Sequence, residues 1–247
     1  MLISELKFPT SLQVTEQTID ISGFTPAQKT FYLNLFEETL KIYAAAQKSR
    51  VVVGMAGSTG SGKSVVAALF KELANQARLP FAFESVTIDA YHFPNNFLLS
   101  HFSDGMPLKQ VKGRFDTYDV AALVNDLKTF AAGKPVAFPI YSRKLHDPVP
   151  DSIRVEADAA LLLVEGLWLL SDDGDWRPVK SMLDFCYFID SDKERTRAAV
   201  LKRHTTGGRT LESAVKHYDE VDGRNADLVL QTRHKADKVI PPYYLVG

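Results

Sequence analysis

A glycine-rich segment constrains the fold of this chain more than any other part of its sequence. It reads Gly57-Ser58-Thr59-Gly60-Ser61-Gly62-Lys63-Ser64, follows the apolar run 51–56 and precedes apolar residues at helical spacing. A strand, a G-x-x-x-x-G-K-S loop and a helix in this order form a Walker A motif, in which backbone N–H groups converge on phosphate oxygens. We expect all eight residues to bind the phosphates of ATP.

Two residues of this loop have predicted roles of their own. Lys63, expected to be exposed in the loop, should reach the β- and γ-phosphates and act in catalysis. The Ser64 hydroxyl should bind Mg²⁺, which prefers hard oxygen ligands. The predicted cofactors are therefore ATP and Mg²⁺.

The rest of the chain alternates apolar runs of strand length with amphipathic segments, which is typical of a parallel sheet covered on both faces. The predicted strands are 51–56, 84–89, 159–164, 184–189 and 236–240. A capping box at residues 25–28 predicts a helix before the first strand, and another helix runs from Val120 to Gly133. Residues 138–157 should form an extended excursion with a proline-rich turn at 148–151.

These elements predict the α/β fold class, as a P-loop NTPase-type three-layer sandwich with a five-stranded parallel sheet, a lid and a substrate-site excursion. We expect one domain over residues 1–247, in which residues 1–48 form an N-terminal extension with a helix.

Two acidic residues follow predicted strands. Asp89 ends the second strand and Glu165 follows the third, and the carboxyl ends of parallel strands share one edge of the sheet. We expect Asp89 to be the catalytic base for a substrate hydroxyl and Glu165 to be a second Mg²⁺ ligand. The alternatives are that Asp89 caps a turn and that Glu165 is a solvated strand end.

Composition limits the partners. The chain has 29 Lys and Arg residues against 30 Asp and Glu residues, spread along its length, so we expect no nucleic-acid or membrane partner and a small-molecule substrate. A single cysteine, Cys186, excludes a disulfide framework, and with no export signal or membrane span predicted we expect a cytoplasmic protein. A homodimer is left open.

Three further motifs follow the phosphate loop: Asp89-Ala90-Tyr91-His92, Pro139-Ile140-Tyr141-Ser142-Arg143 and Glu165-Gly166. In these motifs the chain resembles the superfamily of uridine kinases, phosphoribulokinases and bacterial pantothenate kinases over about residues 51–240. Residues 141–149 look closest to its fructokinase-like nucleoside/nucleotide kinase branch. Residues 112–119 resemble the pantothenate kinase form, with Phe115 in place of proline, whereas Gly113 replaces the ribose-binding aspartate of uridine kinases.

The resemblance implies roles for particular residues. Substrate contacts are expected from Tyr91, His92, Lys112, Arg114, Tyr141, Arg143 and His146. Residues 193–217 look like the family's lid, in which Arg203 and Arg209 would be catalytic by neutralising charge on the transferred group. The remaining histidines show no metal-ligand spacing and are expected to be surface or structural residues; they are His101, His204, His217 and His234.

The function predicted from these features is ATP-dependent phosphorylation of a hydroxyl group on a sugar, nucleoside or pantothenate-like metabolite. The alternative is a regulatory P-loop NTPase or GTPase switch that yields no phosphorylated small molecule. A GTPase should carry Asn/Thr-Lys-x-Asp for guanine, and the nearest string is His234-Lys235-Ala236-Asp237. Glu165-Gly166 also differs from the Asp-x-x-Gly of a switch, so the kinase prediction is favoured.

Overall fold

The computed structural model of the protein describes residues 6–156 and 158–242. Its strands are β1 (Ser11–Val14), β2 (Gln17–Asp20), β3 (Arg50–Gly57), β4 (Ala82–Thr87), β5 (Phe102–Ser103), β6 (Met106–Pro107), β7 (Val136–Ser142), β8 (Asp147–Val155), β9 (Ala160–Gly166), β10 (Phe185–Ile189) and β11 (Lys238–Ile240). Its α-helices are α1 (Pro26–Ala45), α2 (Lys63–Ala77), α3 (Asn95–Ser100), α4 (Val120–Ala131), α5 (Lys193–Thr206), α6 (Leu211–His217) and α7 (Gly223–Gln231).

The central sheet has five parallel strands in the order β11-β10-β3-β9-β4. β3 lies in the middle, so the phosphate loop that follows it opens at the centre of the carboxyl edge. The chain passes from β3 to β4 and returns through β9 before it crosses to β10, which creates a switch in strand order beside β3. The predicted fold class is confirmed.

Helices cover both faces of this sheet. Along β3, Val51, Val53 and Met55 face one core, which also contains Phe36 of α1 and Phe70 of α2. The residues between them face a second core formed largely by α4 and the β7–β8 hairpin. Burial on both faces explains why the strands read as continuous apolar runs rather than as alternating patterns.

Strand ends near the site differ from the prediction. β4 ends at Thr87, and Ile88–Tyr91 forms a 3₁₀ turn because the Thr87 hydroxyl accepts the N–H of Asp89 at 3.2 Å. Asp89 therefore lies in this turn rather than in the strand. β9 continues to Gly166, so Glu165 lies within the strand; a Cβ on Gly166 would come within 2.5 Å of Ile88, which explains the glycine.

The predicted excursion is a two-stranded antiparallel hairpin of β7 and β8. Its turn spans residues 143–146, and the proline-rich stretch 148–151 lies within β8 instead of forming the turn. Prolines are tolerated here because each strand pairs on one side only. This correction moves Arg143 and His146 to the tip of the hairpin.

The N-terminal region forms a β1–β2 hairpin followed by α1. The predicted capping box is present: the Thr25 N–H donates to Gln28 Oε1 at 2.7 Å, and the Gln28 N–H donates to Thr25 Oγ1 at 3.2 Å. No helix within the described residues is both long and apolar enough to cross a bilayer.

Candidate active site

The phosphate loop is folded by its glycines. φ is +149° at Gly57, +83° at Gly60 and +97° at Gly62, values at which a side chain would be strained. A Cβ on Gly60 would also lie 2.8 Å from the backbone oxygen of Thr196 in α5. The loop is thus packed directly beneath α5, the first helix of the predicted lid.

Lys63 is buried, contrary to the expectation of an exposed loop residue. It is the first residue of α2, and its ammonium donates to the carbonyl of Ser58 at 2.8 Å. Burial lowers the pKa of Lys63, and the negative charges of Glu165 and Asp89 oppose that effect. A buried ammonium with one carbonyl partner suits a phosphate oxygen.

A second observation fits phosphate at this loop. The Ser61 hydroxyl is buried, and no hydrogen-bond partner for it exists among residues 6–156 and 158–242. Buried polar atoms of this kind usually have a partner, and an absent ligand is one explanation of an exception.

The predicted magnesium ligands lie together. The Ser64 hydroxyl donates to Glu165 Oε1 at 2.8 Å, and the register of β4 against β9 places Glu165 opposite Thr87. Burial raises the pKa of the Glu165 carboxyl, partly offset by the charge of Lys63. A hydroxyl and a carboxylate in contact are the hard oxygen donors that Mg²⁺ prefers, so these residues fit the ion.

Asp89 lies close to the phosphate loop and pairs with an arginine from the hairpin tip. Arg143 Nη2 is 3.6 Å from Asp89 Oδ2. Burial raises the pKa of the Asp89 carboxyl, but its interactions with the neighbouring His92 ring and with the guanidinium groups of Arg143 and Arg203 outweigh burial and hold the pKa below its ordinary value. Asp89 is therefore ionised at neutral pH and can accept a proton or a hydrogen bond.

The two arginines of the predicted lid occupy different positions. Arg203 of α5 is partly buried, and the charges of Asp89 and Glu165 act on its guanidinium. Arg209 lies in the exposed α5–α6 connection, where its charge acts on Lys109 and His146. Only Arg203 is thus placed beside the carboxylates near the phosphate loop.

His92 lies beneath Asp89 with one ring nitrogen satisfied. Its Nδ1 is 2.8 Å from the carbonyl of Asp89, whereas its Nε2 is buried without a partner among the described residues. Burial lowers the pKa of His92 to about 4, so the ring is neutral at pH 7. Because a carbonyl can only accept, Nδ1 carries the proton and Nε2 presents a free lone pair.

Tyr118 is a site residue that sequence reasoning missed. Its ring centroid is 3.9 Å from that of His92, and its buried hydroxyl also has no partner within the described ranges. Burial raises the pKa of Tyr118, and the charge of Asp89 raises it further. The signal was present in the sequence, since Tyr118 stands in the stretch 112–119 that resembles pantothenate kinases.

Two predicted substrate residues are placed elsewhere. The Tyr91 side chain is buried in the core, where its hydroxyl donates to Asp126 at 2.8 Å, because successive residues of the 3₁₀ turn point in different directions. Arg114 donates to both oxygens of Asp116, at 2.7 and 2.6 Å, and pairs with Asp104 at 3.1 Å. Both side chains thus have partners within the protein, and their contact with the substrate stays a prediction.

The other predicted substrate residues lie near Asp89. The Lys112 ammonium is 5.0 Å and the Arg143 guanidinium carbon 6.0 Å from the ring centroid of Tyr141. Lys112 also donates to the carbonyl of His146 at 2.8 Å. His146 itself is exposed at the hairpin tip and faces the lid glycine Gly207.

Comparison with known proteins places this site in a family. The sequence model of the Phosphoribulokinase / Uridine kinase family matches residues 52–244. The chain belongs to this family. Pantothenate kinases and uridine kinases are among its relatives, as the motifs predicted.

Individual relatives agree with this assignment. This family member is 34% identical over 212 residues to the uncharacterized protein YggC of Escherichia coli (strain K12), over 84% of this chain and 86% of that protein. It is 30% identical over 199 residues to the uridine kinase of Brevibacillus brevis, over 77% and 84% of the two chains. A candidate fructose transport system kinase from Silicibacter sp. TM1040 shares its fold, with a TM-score of 0.73, 23% identity and coverage of 89% and 100%.

In this family member a cavity of about 590 Å³ adjoins the predicted catalytic base, Asp89. Asp89, Arg143 and Glu165 line one end, and residues 11–16 of the β1–β2 hairpin form a wall. Glu16 attaches that wall to the β7–β8 hairpin, accepting from the Ser142 hydroxyl at 2.6 Å and from the Lys144 N–H at 2.7 Å. The N-terminal region thus contributes to the site, which no local sequence signal indicated.

Two histidines that were predicted to be surface or structural residues, His204 and His217, share the carboxylate of Asp222. His204 Nε2 is 2.8 Å and His217 Nε2 is 3.9 Å from Asp222 Oδ2, and the three ligand-type atoms lie within 4.8 Å of one another. The π-helix at Tyr218–Asp222 brings the carboxylate back to α5. Asp222 also acts on the charge of Arg203, so the cluster links the lid helices around that arginine.

Proposed function

We propose that this chain transfers the γ-phosphoryl group of ATP, bound with Mg²⁺, to a hydroxyl group of a small metabolite. The observation that carries the proposal is the convergence of four groups at the mouth of the phosphate loop. Lys63, Glu165, Asp89 and Arg203 come from four different segments, yet the charges of the other three act on Lys63. Phosphoryl transfer needs this combination of a base, a metal-binding oxygen and cations around the transferred group.

Asp89 is the proposed base. Its ionised carboxylate can orient the acceptor hydroxyl and accept its proton during transfer. Arg143, at 3.6 Å, holds the carboxylate in place and keeps it ionised. When bound, Mg·ATP supplies the phosphoryl group and its activation.

Lys63 and Arg203 stabilise the developing charge. Lys63 approaches from the phosphate loop, and Arg203 approaches from α5 on the lid. Fixed cations in a partly dehydrated site stabilise the transition state more than the same charges in water, and they need no reorganisation during the reaction.

The arrangement is less suited to a guanine-reading switch. Asp237, the aspartate of the string nearest to a guanine motif, accepts from the Cys186 N–H at 2.8 Å and from Lys180 at 3.0 Å. That carboxylate joins β10 to the segment before β11, so its hydrogen bonds are made within the protein rather than offered to a guanine base.

A substrate panel tests the proposal. The protein is incubated with Mg·ATP and sugars, polyols, nucleosides and hydroxy acids, and ADP release is read together with the product mass. We expect at least one organic acceptor to gain a phosphoryl group. ATP hydrolysis or nucleotide binding without any phosphorylated acceptor would favour the switch instead.

A further inference from the structure

A lysine pair lies across Tyr141 from the catalytic base. The ammonium groups of Lys109 and Lys112 both donate to the side-chain oxygen of Asn95, and Lys112 does so at 3.1 Å. The second partner of Lys112 is the carbonyl of His146 at 2.8 Å. These partners are uncharged, and among the described residues neither lysine forms an ion pair with a carboxylate.

The pair is connected to the reaction centre through one ring. Lys112 lies 5.0 Å from the Tyr141 ring centroid, Arg143 lies 6.0 Å from the same centroid, and Arg143 pairs with Asp89 at 3.6 Å. Asp89, Tyr141 and Arg143 line the same cavity, so a molecule whose hydroxyl meets Asp89 there lies against Tyr141, the ring on which Lys112 packs.

Positive charge exceeds negative charge at this end of the site. Arg209 is near enough for its charge to lower the pKa of Lys109. The charge of Asp147 opposes this effect on both lysines, and its carboxylate accepts the N–H of Asn95 at 2.9 Å. Burial and the charge of Lys109 lower the pKa of Lys112 to about 8. Two like charges held close together repel each other, and an anion that binds between them removes this repulsion.

We propose that the phosphoryl acceptor is a hydroxylated oxyanion, whose carboxylate or phosphate group binds Lys109 and Lys112. This proposal rests on the kinase function proposed above and specifies its substrate class. It separates the acceptor from neutral sugars and from nucleosides.

Matched pairs of acceptors test it. The kinase is assayed with Mg·ATP and with glycerol against glycerate, glucose against gluconate, and fructose against fructose 1-phosphate. We expect the charged member of at least one pair to react with a kcat/KM higher by on the order of 100-fold, since two charge-assisted hydrogen bonds are at stake. The pair that responds shows whether the anion is a carboxylate or a phosphate.

Variants connect the preference to the lysines. Lys112→Met and Lys109→Met should each raise the KM for the charged acceptor by about 10- to 100-fold with little change in kcat, and Lys112→Arg should restore part of the affinity. Lys128→Met, which removes an exposed lysine on α4, is the matched control and should leave both constants unchanged. Thermal melting of each variant establishes that it is folded.

The outcomes separate the two proposals. If neutral acceptors react as well as their charged partners, or if folded lysine variants keep the preference, the anion proposal is wrong while the kinase function stands. If no acceptor of either class is phosphorylated by the wild type, both proposals fail.

Discussion

Replacing Asp89 by asparagine removes the proposed base while preserving the shape of the side chain. The substitution abolishes the ion pair with Arg143, whose partners are 25% and 29% exposed at 3.6 Å. A pair exposed to this extent contributes at most about 1 kcal/mol. Loss of a positioned base costs on the order of 10² to 10⁴ in rate, which is about 3 to 5 kcal/mol in the barrier. The rate loss should therefore exceed anything that destabilisation explains.

The assay measures three quantities on one preparation. Calorimetry gives the affinity for Mg·ATP, thermal melting gives stability, and product formation under saturating acceptor gives kcat. Asp184→Asn is the control, because Asp184 precedes β10 at the opposite edge of the sheet, where it accepts the Val52 N–H at 3.0 Å and pairs with Lys48. We expect Asp184→Asn to lower stability and keep kcat. Asp89→Asn should lower kcat and largely keep stability.

If folded Asp89→Asn protein turns over within a few-fold of the wild type, Asp89 serves only in the 3₁₀ turn. The base would then have to be another group near the phosphate loop.

The remaining predictions concern the metal, the lid, the lysine pair and the N-terminal wall. Glu165→Gln should raise the Mg²⁺ requirement by at least about 10-fold, and an unchanged magnesium titration would contradict its role. Arg203→Ala should lower kcat by on the order of 10³-fold, whereas Arg209→Ala should mainly raise the KM for the acceptor; equal losses of kcat would remove this distinction. Burial and Lys109 lower the pKa of Lys112 to about 8, so kcat/KM for a charged acceptor should fall as pH rises through that value and the ammonium loses its proton. That decline should be absent from a pH profile of Lys112→Met. Glu16→Ala should detach the β1–β2 hairpin from the β7–β8 turn and raise the acceptor KM with kcat retained; unchanged KM would show that the wall does not contact the acceptor.

Features with local signals were predictable from the sequence. The phosphate loop is recognised because its glycines, its lysine and its flanking strand and helix are contiguous. The order of the elements predicted the parallel sheet. The predicted ends of the second and third strands, which placed Asp89 and Glu165 at the carboxyl edge, differ from the observed ends by two residues each. Errors at this level concern boundaries, as where the Thr87 hydroxyl ends β4 early.

Features that depend on distant contacts were not predictable. Tyr91 and His92 are neighbours in one motif, yet the first points to Asp126 in α4 and the second lies beneath the base. Glu16 meets Ser142 across 126 residues. Lys109 lies outside the motifs, and no local signal marks it as a site residue. Only the fold brings it to the same side-chain oxygen of Asn95 that Lys112 contacts.

Phosphoryl transfer from ATP to a small molecule can be followed directly with a label. ATP labelled at the γ-phosphate is incubated with Mg²⁺, the acceptor that responds in the panel, and either wild-type, Asp89→Asn or Asp184→Asn protein. We expect label to appear in the organic product with the wild type and Asp184→Asn, and to be nearly lost from it with folded Asp89→Asn. Label that appears only as inorganic phosphate, or in equal amounts of product with all three proteins, would contradict this expectation.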